Sequence, residues 1–338
     1  YYFGVTDSLD RLSTLPAGAL DDQDYFSMSV LPMKTATNPS LACFDSLAPI
    51  LFVNNFYGRE PKPLFAEAMK AMGFKFDTWD VNGPTSLIGN TPAGSTPGGL
   101  YKWPPTPVDN LLQYKAIIWH SGNLSAQPLR QEDQAMLQSW VQQAGKDRNV
   151  WLSGDDLATA LFTGDDFNSF MQFTAGTRYI RDLWENFPQD TLHPIVQGFN
   201  GGPTQDRYMH VNADCPLVDD FDMIASSTSA QVNGKAGLYL KYPNNLGAAT
   251  RYATKYVSFG SDSARVVFMG FSFNNIEEGG ERLRLMTGTM QTYFKVNPCY
   301  LATGIDDDPV TQAPPVPNRL FQNAPNPFNP ETVIKYSV

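Results

Sequence analysis

The chain has 338 residues, 42% of them hydrophobic and 17% charged, with a formal net charge of −10. That is apolar content enough for a full core. The acidic balance argues against nucleic acid or an anionic membrane as partner, since both call for a basic surface.

No run of about 20 apolar residues able to cross a membrane occurs, so membrane insertion is not expected. The three cysteines, Cys43, Cys215 and Cys299, are widely spaced and form neither a CxxC pair nor a metal-ligand spacing. One disulfide or buried free thiols both suit them, and no metal or cofactor is expected.

Residues Tyr1 to Asp7 alternate large apolar side chains with smaller ones, as a half-buried strand does, and Phe26 to Val30 alternate again beyond a polar turn at Ser8 to Arg11. This resembles the last hairpin of a fibronectin type III domain, so residues 1–35 read as the C-terminal fragment of such a β domain. With both ends expected to be cut, the missing signal peptide says nothing against secretion.

Residues 46–297 read as one α/β domain. Pro49 to Asn55 is a continuous apolar run ending in polar residues, the pattern of a strand buried on both faces. Pro63 to Met72 places Leu64, Phe65, Ala68, Met69 and Met72 on one helical face. A second strand is expected at Phe74–Val81, then a long loop at Asn82–Pro107 and a third strand at Tyr114–His120. Gln131–Ala144 is a helix with Met136, Trp140 and Val141 inward, and Asn149–Ser153 a fourth strand running into Gly154-Asp155-Asp156 and another helix.

Residues 163–256 break this rhythm and read as a β-rich insertion, with strands expected only at Gly237–Tyr242 and Ala248–Thr254. The rhythm resumes at the apolar run Ala264–Phe271 and a helix carrying Leu283, Met286, Met290 and Phe294. Strands alternating with helices imply a mainly parallel sheet. Residues 303–318, acidic and then Pro-rich, are a linker, in which Asp306-Asp307-Asp308 lacks the alternating ligands of a calcium loop.

The order of elements resembles the class I glutamine amidotransferase-like domain, a flavodoxin-like three-layer α/β sandwich. The resemblance is carried by Ile50–Asn54, by Tyr114–Asn123, by the elbow Val150–Asp156 and by the closing strand Val266–Phe273 with its helix. Catalytic members need a Cys nucleophile at the elbow and a His after the late strand. Here the elbow offers Ser153, Asp155 and Asp156, and the late loop offers Ser272, Asn274, Asn275, Glu277 and Glu278. The resemblance therefore implies a catalytically degenerate member.

Residues 319–338 contain Leu320, Gln322-Asn323, the turn Pro325-Asn326-Pro327-Phe328-Asn329-Pro330 and an alternating strand. This closely resembles the opening of the C-terminal sorting domain of proteins exported by the bacterial type IX secretion system. It implies secretion or attachment to the outer cell surface, with the secretion machinery as a partner. A fibronectin-like fragment at one end and this one at the other would flank the α/β domain with β-sandwich fragments.

Two functional readings follow. In the first, the chain is a non-catalytic binding or structural module of a modular surface protein. An extracellular polysaccharide or protein would then meet the strand-end cleft of Asn54, Ser121, Asn123, Asp155 and Asn275. In the second it is a secreted hydrolase of peptide or polysaccharide, with Ser153 as nucleophile, His120 as base and Asp156 beside them at one rim. Against that, Asp155 and Asp156 read as helix caps, Glu277 and Glu278 as a solvated acidic loop, and His193 and His210 as lacking recognisable partners. The missing Cys and His favour the first reading, leaving the chain an uncertain enzyme at most.

Overall fold

The computed structural model describes residues 46–56, 59, 63–81, 111–142, 147–162, 168–182, 195–199, 204–205, 207–211, 221–229, 236–243, 246–254 and 264–299, together with the backbone of a few short elements outside these. Toward the N-terminus, Phe3–Thr6 pairs antiparallel with Leu12–Leu15. Toward the C-terminus, Arg319–Leu320 pairs with Tyr336–Ser337 and Ala324–Asn329 with Glu331–Val333. The strand expected at 26–30 and the linker at 303–318 lie outside the described residues, as do Cys43 and Cys215.

The domain is mixed α/β, built on one nine-stranded sheet. Its elements in chain order are β1 (Ile50–Asn54), α1 (Leu64–Ala71), β2 (Phe76–Asp80), β3 (Ala116–Gly122), α2 (Gln131–Gln142), β4 (Arg148–Gly154) and α3 (Leu157–Leu161). These are followed by β5 (Thr177–Asp182), β6 (Ile195–Gly198), β7 (Tyr208–His210), β8 (Asp222–Ser226), β9 (Ala236–Lys241), β10 (Gly247–Thr254), β11 (Ala264–Met269) and α4 (Gly279–Met286). The sheet order is β7-β6-β9-β10-β11-β4-β3-β1-β2. Strands β2, β1, β3, β4 and β11 are mutually parallel, and β10, β9, β6 and β7 extend them antiparallel. Strands β5 and β8 form a separate antiparallel pair.

Of the parallel strands, β1, β3, β4 and β11 are predominantly apolar because both of their faces are covered. Every residue of β1, β3 and β4 is buried. Side chains alternate between two cores. Ile50, Phe52, Ile118, Trp151 and Met269 pack with α1 and α4 residues such as Phe65, Met69 and Met286. Leu51, Val53, Trp119, Leu152 and Phe268 pack with Met136, Trp140 and Leu157 of α2 and α3. After α4 the chain widens into a π-helical segment at Thr287–Tyr293, which seats Met290 and Phe294 in the first core.

At the N-terminal edge of β4, the buried Arg148 donates to the carbonyls of Leu112 and Tyr114, at 3.1 and 2.8 Å, and lies over the Trp140 ring at 5.2 Å. Cys299 is disulfide-bonded, so it is not a free thiol.

The described part of 163–256 carries more strands than its sequence suggests. It contains β5, β6, β7 and β8 besides the two expected strands, and β9 and β10 join the main sheet through β11. The four extra strands leave little periodic signal in the sequence because each has six residues or fewer and several mix polar with apolar side chains.

In the first turn of α2, Asp133 is 3% exposed. Burial pushes its carboxyl up to about 8, against the Arg130 backbone N–H and then the Arg130 charge, which act to lower it. The folded state therefore holds a proton that the unfolded chain releases near pH 4, and stability falls as pH rises through that window. The expected outcome for Asp133→Asn is a thermal midpoint that gains on wild type between about pH 5 and about pH 9. An offset unchanged across that range would contradict this assignment.

Candidate functional site

The C-terminal ends of β1, β3, β4 and β11 meet at one rim. Parallel register sets Asn54 beside His120, His120 beside Ser153, and Ser153 beside Met269. The sequence-predicted residues thus converge, on the edge where open α/β sheets place ligands. Their side chains, however, are committed to holding the rim together.

Ser153 is fully buried. Its hydroxyl donates to the Phe271 carbonyl at 3.1 Å and accepts the Phe273 N–H at 2.9 Å. A hydroxyl has a single proton, and here it is directed at a carbonyl and not at a base. Asp155, 1% exposed, accepts from Ser272 N–H at 2.6 Å and from Asn275 Nδ2 at 3.1 and 2.9 Å. Ser153 and Asp155 together fasten the end of β4 to the loop after β11.

The other candidates are similarly engaged. Ser121 Oγ donates to the Ser153 carbonyl at 3.2 Å, and Asn54 Oδ1 accepts the Phe56 N–H at 3.0 Å. Asn123 alone among the five cleft candidates is only half-buried. A Cβ on Gly154 would lie 2.1 Å from Ser121 Oγ. At Gly122, whose φ is +55°, a Cβ would lie 2.4 Å from the Phe56 ring. Glycine at both positions lets these neighbours close over the strand ends.

His120 is fully buried among rings. It stacks on Phe52 at 6.4 Å and meets Phe56 and Phe65 edge-on at 6.0 and 5.6 Å. Phe65 in turn stacks on Phe273 at 3.9 Å. An aromatic cluster occupies the space over His120 that a substrate would need.

The capping expectation for the elbow aspartates is corrected. Asp156 sits at the N-cap without a side-chain capping bond, and Asp155 points to the Ser272 loop. Asp222 of β8 does the work instead, accepting Ala158 N–H at 2.6 Å and Thr159 N–H at 3.2 Å.

A second correction concerns His210, which lies on strand β7 and does have a partner. Glu281, nearly buried in the first turn of α4, meets His210 Nδ1 at 2.9 Å and accepts its backbone N–H at 2.7 Å. Exposed Tyr208 and His210 alternate with buried Met209 and Val211, a period-two signal that could have located this strand. Glu277 and Glu278 are exposed, as a solvated acidic loop requires. Among the described residues, no three His, Cys, Asp or Glu side chains gather as metal ligands. Nor is any described helix long and apolar enough to cross a membrane.

No family model matches the chain, and no curated protein matches it. Among solved structures it is similar to one described as the crystal structure of Agd3, a novel carbohydrate deacetylase, with 11% identity and a TM-score of 0.37. The match covers 67% of this chain and 29% of that one, so this chain spans under a third of that protein's length. Likeness at this level bears on neither activity nor substrate.

Two outcomes follow from the geometry. Ser153→Ala leaves a buried carbonyl and a buried N–H without their partner, at about 1–3 kcal/mol for each group, so a clear drop in denaturant midpoint is expected. A variant as stable as wild type would mean that Ser153 is not structural. For His210, the hydrogen bond and charge of Glu281 raise its pKa above 6.5. The pair's contribution is complete below 6.5 and lost as pH rises through the folded value. NMR titration is expected to place the His210 midpoint above 6.5 in the wild type and closer to 6.5 in Glu281→Gln. Equal midpoints would dissolve the pair.

Proposed function

We propose that this chain is a non-catalytic binding or structural module of a secreted or cell-surface modular bacterial protein. The observation that carries the reading is the closed rim, where Ser153 and Asp155 spend their hydrogen-bonding capacity on the Phe271–Asn275 loop and His120 is packed among phenylalanines. A nucleophile needs an available proton and a base within reach, and neither condition suits this arrangement.

The scaffold reading is flavodoxin-like and amidotransferase-like. Counted along the chain, the five parallel strands are ordered second, first, third, fourth, fifth, an order characteristic of that fold. In this reading the elbow persists as a structural joint after its chemistry has gone. Export through a type IX-like system is supported by the resemblance of residues 319–338 to a sorting domain. The Cys299 disulfide adds support, because such bonds persist in oxidising compartments. The partners of this reading are the secretion machinery and an extracellular polysaccharide or protein.

The hydrolase alternative, with Ser153, His120 and Asp156, would require the Phe271–Asn275 loop and the phenylalanine cluster to move aside together.

The test is a thermal-shift screen of the full chain against oligosaccharides and peptides, paired with a hydrolysis assay on the same compounds. A bound ligand at one hundred times its dissociation constant stabilises by about 2.7 kcal/mol, which for a chain of this size raises the midpoint by several degrees, roughly 5–10 °C. A midpoint shift without turnover is the expected result. Hydrolysis abolished in a folded Ser153→Ala variant would overturn the proposal in favour of the enzyme.

A further inference from the structure

Beside the elbow, four side chains from three elements form one polar chain. Thr159 Oγ of α3 is in hydrogen-bond contact with Asp222 Oδ1 of β8 and lies 2.6 Å from Asp182 Oδ1 of β5. Tyr179 of β5 donates its hydroxyl to the same Asp182 oxygen at 2.8 Å. A threonine hydroxyl has one proton and can donate to one carboxylate only. With both carboxylates ionised, the second contact would set lone pair against lone pair at a distance where only a hydrogen bond is stable. One of the two carboxyls must therefore carry a proton.

Burial decides which. Asp222 is fully buried, whereas Asp182 is half-buried and already accepts the Tyr179 hydroxyl. The proton belongs on Asp222 Oδ1, which donates to Thr159 Oγ, which donates to Asp182. The remaining oxygen of Asp222, Oδ2, accepts the Ala158 N–H of α3 at 2.6 Å and is reached by the Thr159 N–H at 3.4 Å.

We propose that this single proton, shared between Asp222 and Asp182 through Thr159, latches the β5–β8 strand pair to the elbow helix α3, and that the latch loosens when the proton is lost.

The surroundings fit. Burial raises Asp222 most; the bonds from Thr159 and Ala158 oppose it, and the charges of Asp182 and Asp156 add to it. Tyr242 stands over the opposite side, its hydroxyl 3.4 Å from the Asp222 carbonyl, and Asp155 lies beyond it. The cations of the packed elements are Arg178 and Arg181 on β5, Lys241 on β9 and Arg251 on β10. Among the described residues, none of these is a hydrogen-bond partner of the Asp222 carboxyl. Because the folded state keeps the proton to higher pH than the unfolded chain, the latch is complete at low pH and is lost as pH rises through the folded value.

The test uses the full chain in the Asp133→Asn background, which removes the other carboxyl that burial raises among the described residues. Asp222→Asn places an amide where the protonated acid stood, donating to Thr159 and accepting from Ala158. Amide exchange across residues 157–161 and 222–226 is followed from about pH 5 to about pH 9, after correction for the intrinsic rate. The expected result is protection that falls with pH when Asp222 is present and stays level with Asn. Parallel loss in both proteins, or no loss in either, would overturn the proposal. Should Asp222→Asn not fold, infrared spectroscopy of the Asp133→Asn protein decides. A protonated-carboxyl band at neutral pH that disappears on alkalinisation supports the latch, and its absence refutes it.

Discussion

Burial of β3 and β4 on both faces is the constraint from which the rest of the structure follows. Polar groups buried at a strand tip, out of reach of water, must be met by protein, and Ser153 and Asp155 are buried there. At the tip of β4 this requirement falls on Ser153, Gly154 and Asp155, and the chain answers it with the loop after β11. The same atoms that would form a reactive elbow in an open cleft here join two strands. Closure by the Phe56, Phe65 and Phe273 rings is the apolar side of the same solution, since it keeps water from competing for those bonds.

Buried acids are a second theme, and the protein treats them consistently. Asp133 and Asp222 are both placed where backbone N–H groups at a helix start can reach them, yet both rise above the ordinary carboxylate range because burial outweighs those bonds. Glu281 plays a related part in the first turn of α4, where it ties the edge strand β7 to the helix through His210. These contacts attach the antiparallel half of the molecule to the parallel half at α3 and α4. A chain with a net charge of −10 thus uses several of its acids as joints.

The parallel half was legible because β1, β3, β4 and β11 are predominantly apolar runs and the helices show apolar faces. Ile50–Asn54, Ala116–Gly122, Arg148–Gly154 and Ala264–Met269 all fall where those runs stand. The convergence of Asn54, His120 and Ser153 at one rim was likewise legible, since strand ends in a parallel sheet share an edge. The antiparallel half was not. Tyr208–His210 spans three residues, and Thr177–Asp182 carries Arg178, Arg181 and Asp182 among its six. Such strands are stabilised by their neighbours more than by their own pattern.

What the sequence alone determined is therefore the α/β class, the positions of the buried strands and their helices, and the edge on which a site would lie. These depend on local periodicity and on the requirement that apolar runs be covered. Only the tertiary structure decided whether that edge is open or closed, and which acid caps which helix. Asp222 reaches α3 from 64 positions away in sequence, and Ser272 reaches Asp155 from 117. No spacing rule spans such distances, because a hydrogen bond depends on where two atoms meet in space after the sheet has formed.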